Sequence, residues 1–346
     1  MRKIICGVAK TGRTETFEDY YAPRVDELTV IGQSVYCMKA DTSYYRKYKL
    51  GCCWKEGRLK SFYAPNKLLH PFVLLKWWWN IITHLEGRYD EYLGISHGFA
   101  MCGVILKKLG LVKRLTYYCL DWYQNDRVMA WFDRVNCRWA DEVWDISPEI
   151  NKQRRVPVKS KIVPMLYSPK VARYTEDIDW NRLVFVGSLS DNQGLEIVCQ
   201  AMPLIRKKYP DAYFYVMGDG FYREHVVGPG VVRAGFIEKD SEVYDILSRS
   251  AIGVAMYTSG TNKNILCADV GKIKLYALCG LPVIATKYCQ IPAGVVTAES
   301  PEAFAEGVDF LLSDRARLLE YKRRSYEWGK QFILSDEFIQ SLQKAL

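Results

Sequence analysis

Lys272 stands at the start of a helical pattern, directly after a long polar loop. A lysine at a helix N-terminus can seat a diphosphate, because the first N–H groups of the helix and the ammonium point at the same anion. Gly187 and Ser188, followed by Leu189, come directly after the apolar run 183–186. A turn of small residues there lets backbone N–H groups approach a phosphate. Asp121 ends another apolar run, 115–120, and His97 follows the run 92–96. An aspartate at a strand end can take the proton of an attacking hydroxyl. Each of these positions also has a plain reading. The lysine can be solvated, the glycine can simply end a strand, and the Asp and His can cap turns.

The elements that must hold these residues are legible in part. Residues 252–257 form an apolar run ending at Tyr257, and Ile273, Tyr276, Ala277 and Gly280 recur at helical spacing. Gly280 fits a helix C-cap, and Pro282 leads into the run 283–285. This is strand, loop, helix, strand: a βαβ unit, whose ligands bind at the carboxyl ends of the strands. Similar units are expected from 183 to 217 and 92 to 120, with Asp121 and His97 facing one cleft. Residues 37–66 are rich in Tyr, Lys and Cys and are expected to be loops and short elements. Residues 71–85 form a helical pattern that is apolar nearly all round, with Trp77, Trp78 and Trp79 at its centre and Lys60, Lys67 and Lys76 nearby. Such a helix is either core or docked at a membrane interface, where Trp prefers the headgroups and Lys attracts anionic lipid.

Length and composition bound the answer. A chain of 346 residues exceeds one ordinary core, so two domains are expected. The polar stretch 166–182, with Pro169 and the acids Glu176, Asp177 and Asp179, reads as the linker. The expected division is 1–168, 169–325 and a C-terminal helix, 326–346, returning to the first domain. The eleven cysteines are odd in number, lack zinc-site spacing and follow no signal core, so reduced cytosolic thiols are expected. No run reaches the roughly 18 apolar residues of a membrane span. A net charge of +9 suits anionic partners. Neither a Gly-x-Gly-x-x-Gly fingerprint nor a Walker A lysine motif is present, which argues against NAD enzymes and P-loop NTPases.

The order apolar strand, Tyr257, loop, Ala268-Asp269, Lys272-x-x-x-Tyr276, Gly280-Leu281-Pro282-Val283-Ile284 resembles the donor-binding segment of GT-B glycosyltransferases. Leu275 stands where many members carry a ribose-binding glutamate, and Ser188 and Gln193 stand where many carry a basic pair. The variant is similar to the glucuronosyltransferase family of xanthan assembly, which lacks that glutamate and also reads Gly-Ser-apolar at the first turn. The pattern Leu115-x-Tyr117-x-x-x-Asp121 matches that family's catalytic-aspartate segment. The resemblance implies an α/β fold of two Rossmann-like domains facing a cleft. It implies a UDP-sugar donor gripped by Gly187, Ser188, Leu189, Phe236, Tyr257, Lys272 and Tyr276. Asp121 would be the base of an inverting transfer, with His97 in the cleft. The acceptor would be a lipid-linked saccharide, at an anionic membrane met by Trp77, Trp78 and Trp79. The place is the cytoplasmic side of the membrane, with no metal, no other cofactor and no nucleic-acid partner expected. A soluble acceptor, or a GT-B module that binds without catalysis, remains the alternative.

Overall fold

The computed structural model describes residues 2–10, 15–34, 43–61, 69–121, 126–154, 156–258, 270–287 and 295–344. They group into two compact units, Met1–Pro164 with Leu334–Leu346, and Met165–Ile333. Each unit is a sheet flanked by helices, all parallel in the second and parallel but for β3 and β4 in the first, so the α/β class expected from the apolar runs is the class observed.

In the first unit the sheet order is β4-β3-β2-β1-β5-β6-β7-β8. The strands are β1 (Lys3–Lys10), β2 (Glu27–Ser34), β3 (Tyr44–Lys49), β4 (Cys52–Arg58), β5 (Tyr89–Ile95), β6 (Val112–Cys119), β7 (Glu142–Asp145) and β8 (Lys161–Ile162). Helix α1 (Glu15–Tyr21) follows β1, and α2 (His70–Thr83), α3 (His97–Lys108), α4 (Arg127–Trp139) and α5 (Pro148–Gln153) follow in chain order. Its core joins Ile5, Ile31, Trp77, Tyr92, Phe99 and Leu115. The strands that supply it are near-continuous apolar runs, as strands covered on both faces require.

Within the region expected to hold loops and short elements the structure places the antiparallel hairpin β3–β4. Its two-residue turn has Leu50 at φ 48° and Gly51 at φ 82°, the double positive φ of a tight hairpin. The alternation was hidden because β4 is almost wholly exposed. The hairpin is held by polar contacts instead: Glu18 of α1 accepts from Tyr48 at 2.5 Å and from Tyr44 and Arg46 at 3.2 Å each.

In the second unit the strands are β9 (Asp179–Val186), β10 (Tyr213–Met217), β11 (Val231–Gly235), β12 (Ser250–Ala255), β13 (Val283–Ala285) and β14 (Val296–Thr297). They are all parallel, in the order β11-β10-β9-β12-β13-β14. Counted from β9 this is 3-2-1-4-5-6, the doubly wound order whose ligand crevice lies where the order reverses, beside the ends of β9 and β12. The helices are α6 (Leu195–Lys208), α7 (Asp240–Ser248), α8 (Gly271–Leu278), α9 (Pro301–Leu312) and α10 (Arg315–Gly329).

The chain end differs from a single returning helix. Helix α10 stays with the second unit, packed along α8, where a Cβ on Gly329 would lie only 2.7 Å from the Ala277 backbone. Trp328 and Phe332 join that unit's core contacts. The break at 330–335 precedes α11 (Asp336–Lys344), which belongs to the first unit, where Asp336 accepts from Arg24 Nε at 2.8 Å and from Tyr20 at 2.9 Å.

Lys322, on α10, is completely buried and donates to the Ser248 carbonyl at 3.1 Å, with no carboxylate in ion-pair range among the described residues. Burial pushes its ammonium down to about 8 from an ordinary value of 10.5. The folded state therefore releases the proton before the unfolded state does. The cost of burying the charge is full below pH 8 and fades as pH rises toward 10.5. Lys322→Met should be more stable than the parent at pH 7. Urea unfolding should show that advantage shrinking by roughly 3 kcal/mol between pH 8 and 10.5. A constant difference across that window would contradict the assignment.

Candidate functional site

The second unit brings Lys272 and Gly187 together. Gly187 follows β9 at φ 146° and Gly218 follows β10 at φ 132°, so both lie in the left-handed region that favours glycine. A Cβ on Gly218 would stand 1.9 Å from the Gly187 carbonyl oxygen, so the two turns interlock only as glycines. The Gly187 amide donates to Met217 O at 3.0 Å, and Leu189 N donates to Asp219 O at 3.1 Å. Over this floor lies the Lys272 side chain, whose Nζ would be 3.4 Å from a Cβ on Gly187. The ammonium donates to Gln193 Oε1 at 2.5 Å and sits 3.7 Å from the Phe185 ring centroid and 5.2 Å from that of Tyr257. These three contacts, an amide oxygen and two aromatic faces, are with neutral groups. Lys272 is also the second residue of α8, whose N-cap position, Val270, supplies no side-chain cap. The first-turn N–H groups and the ammonium together form an anion seat.

One residue expected on the donor, Tyr276, is packed into the core. Tyr276 is fully buried; its hydroxyl accepts from Val186 N at 3.0 Å and donates to Val254 O at 3.2 Å. It is a strut tying α8 to β9 and β12, with its ring over Gly253, and it cannot touch a ligand from inside the core. Leu189 buries its side chain and offers only one wall of a neighbouring cavity. That cavity, about 340 Å³, is also lined by Gly218, Asp219, Arg233, Gly235 and the half-exposed Phe236. Its size is within the usual range for small-molecule sites. Leu275 is 6% exposed and packs into the core, so its register on α8 carries no polar group to a ligand. The Ala268-Asp269 part of the pattern lies outside the described residues.

In the first unit Asp121 and His97 differ in exposure: one is at the surface and the other is buried. Asp121 is exposed, two residues past β6. The nearby helix α4 is capped by Asp126, which accepts from Val128 N at 3.0 Å and Met129 N at 3.1 Å. His97 was expected in the cleft, but the chain turns it into the core. Ser96 adopts φ 79°, a strained value for a non-glycine residue, and this turn starts α3 with the imidazole pointing inward. Burial pushes the ring down to about 4, against the upward pull of Asp133, 4.0 Å from Nε2. The imidazole is therefore neutral at physiological pH. His97, Cys119 and Asp133 approach one another within 4.8 Å, a metal-like spacing. The set does not fit a metal, because Arg154 already donates to both oxygens of Asp133, at 3.0 and 3.1 Å. Burial also raises the Cys119 thiol well above its ordinary value, which keeps it protonated.

The tryptophan run divides between core and surface. Trp77 is buried and stacks on Phe99 at 4.8 Å. Trp78 is half-buried and donates to Gly98 O at 2.9 Å. Only Trp79 faces out, at 61% exposure, in a stripe with Phe72, Leu75 and Ile82. Neighbouring α4 adds a stripe that sequence reasoning missed: exposed Arg127, Trp131, Arg134 and Arg138. Trp78 links the two helices, 6.3 Å from Phe132 of α4. Among the described residues no helix is long and apolar enough to cross a membrane. Trp77→Ala should cost about 3–5 kcal/mol in urea unfolding. Trp79→Ser should leave stability within about 0.5 kcal/mol of the parent. Equal losses would mean that both rings are core.

Residues 181–314 match the family model for glycosyl transferases group 1. No curated protein matches the chain. Solved structures match nearly all of it at low identity. HepE of Anabaena, in complex with UDP and glucose, aligns with a TM-score of 0.66 at 13% identity, covering 100% of this chain and 99% of that one. A UDP-forming α,α-trehalose-phosphate synthase from Burkholderia xenovorans gives 0.67 at 10%, covering 99% and 98%. The pneumococcal O-GlcNAc transferase GtfA, in complex with UDP and GlcNAc, gives 0.55 at 12%, covering 88% and 68%. The fold is that of GT-B glycosyltransferases, and the stretch that matches group 1 contains the Gly187–Lys272 anion seat.

Proposed function

We propose that this chain is a glycosyltransferase that moves a sugar from a UDP-sugar to a lipid-linked saccharide. The observation that carries the reading is the Lys272 ammonium, held by Gln193, Phe185 and Tyr257 over the Gly187 turn at the start of α8. That arrangement lies inside the stretch that matches group 1 glycosyl transferases. Two relatives of the fold were solved with UDP and a sugar.

In the proposed reaction the acceptor hydroxyl attacks the anomeric carbon and gives its proton to Asp121. The bond from that carbon to UDP breaks, and its electron pair leaves on the diphosphate. Lys272 and the first N–H groups of α8 neutralise the charge that develops there. Attack opposite the leaving group inverts the anomeric centre, so an α-linked donor gives a β-linked product. Charge neutralisation by these groups means the step calls for no metal. Glucuronic acid is the sugar suggested by the resemblance to the xanthan enzyme family.

The acceptor side rests on the outer stripes of α2 and α4. Exposed Trp79, Phe72 and Leu75 beside Arg127, Arg134 and Arg138 combine apolar and cationic groups, as a helix pair lying on anionic lipid requires. Docking at the cytoplasmic face of a membrane would present the chain to a lipid-linked acceptor in surface polysaccharide assembly. The binding-module reading draws on Ser188 and Gln193, neutral where relatives by resemblance are basic.

Lys272→Ala should weaken UDP binding about tenfold or more by calorimetry, since one charge-assisted phosphate contact is worth about 1.5–3 kcal/mol. Unchanged affinity would remove the anion seat from the argument. Asp121→Asn should bind UDP like the parent but lower turnover about 10²–10⁴-fold. An active Asn variant, or a product that NMR shows to keep the donor configuration, would overturn the inverting mechanism. A chain that never consumes any UDP-sugar while binding UDP would be the binding module.

A further inference from the structure

The GT-B resemblance leaves the ribose without its usual carboxylate partner, because Leu275 is buried in the core of the second unit. We propose that Asp219, at the end of β10, takes the ribose hydroxyls of the donor nucleotide and so sets the preference for a ribonucleotide. The proposal rests on the nucleotide-sugar reading above.

Three observations lead to Asp219. The first is topology. In βαβ nucleotide-binding units the glycine turn after the first strand holds the phosphates, and an acidic residue further along the same unit binds the ribose hydroxyl. Here β9, α6 and β10 form that unit: Gly187 ends β9, and Asp219 is the first carboxylate after β10. The second is the cavity. It runs past Asp219 to Phe236 and is floored by Gly218, whose backbone is locked against Gly187 beneath Lys272. A diphosphate at Lys272 would therefore bring its nucleoside to this cavity.

The third observation separates Asp219 from the other carboxylate on the cavity wall. Glu224 is held by a charge-assisted hydrogen bond from Arg223 Nε at 2.8 Å, with Arg233 at 3.7 Å, whereas the Arg223 guanidinium stays outside hydrogen-bond range of Asp219. Asp219 accepts the Gly220 N–H through Oδ1 at 2.9 Å, which fixes its side chain, and stands 3.8 Å from the Arg223 guanidinium. A carboxylate can accept about four hydrogen bonds, so Asp219 keeps capacity for two more donors. A vicinal diol supplies two O–H donors at one place. The arginines on this wall are matched by acids, so the cavity is close to neutral, which suits a nucleoside better than a phosphate.

The test compares UDP with 2′,3′-dideoxyuridine diphosphate by calorimetry on the parent, Asp219→Ala and Asp219→Asn. The parent should prefer UDP about tenfold or more, as charge-assisted hydrogen bonds predict. In Asp219→Ala, UDP should fall to the affinity of the dideoxy compound, and the dideoxy affinity should not move. Asp219→Asn can keep the Gly220 contact and should show an intermediate preference, with an unchanged melting temperature. A parent that binds both ligands equally, or an Ala or Asn variant that keeps the full preference, overturns the assignment while leaving the nucleotide site intact. A parent that binds neither ligand overturns the nucleotide reading itself.

Discussion

The second unit's anion seat depends on where one cation, Lys272, is held. Lys272 meets an amide oxygen and two aromatic faces. Cation–π contacts of this kind are worth about 0.5–2 kcal/mol, enough to order the side chain. What fixes its position is the strut one helical turn later. The Tyr276 hydroxyl joins Val186 N and Val254 O, so α8 cannot slide along β9 or β12. The same contact satisfies an amide at the very end of β9, one residue before the Gly187 turn. The interlocked glycines then bring the β10 turn under the same ammonium. Helix, two strand ends and cation are thus one assembly, made of hydrogen bonds and backbone contacts around the Lys272 ammonium.

The sequence announced this assembly because its parts are local. The helical spacing of Ile273, Tyr276 and Ala277, the cap at Gly280 and the apolar strands were all legible within a few residues of Lys272. What was not legible depends on contacts far apart in the chain. Tyr276 resembles a ligand-binding residue by spacing, and only the positions of Val186 and Val254 show it to be buried. The hairpin β3–β4 was missed because its faces are too exposed to alternate and its anchor, Glu18, lies on another element. The three tryptophans could not share one role, since successive residues on a helix point about 100° apart. Trp77 faces inward and Trp79 outward, and the composition of the run could not say which. The arginines of α4 escaped notice because their stripe becomes a surface only beside α2.

The first unit pairs its buried charges, and this distinguishes them from the exposed Asp121. Arg154 donates to both oxygens of Asp133 on α4 and, at 2.6 and 2.7 Å, to both oxygens of Asp145 at the end of β7. Tyr117 of β6 donates to Asp133 as well, at 2.9 Å. Removing one partner of such a buried set strands the others and typically costs about 3–5 kcal/mol. The cluster therefore serves to hold β6, β7 and α4 in register. Its carboxylates are committed to Arg154, and neither is exposed to a substrate. His97, beside them, is buried and neutral, with Asn136 Nδ2 bonded to its carbonyl oxygen at 2.9 Å. The helix cap that Asp121 might have supplied is made by Asp126. Of the acid–base groups that the sequence places at the ends of β5 and β6, Asp121 is thus the exposed one, and Tyr117 and Asp126 anchor the chain on either side of it.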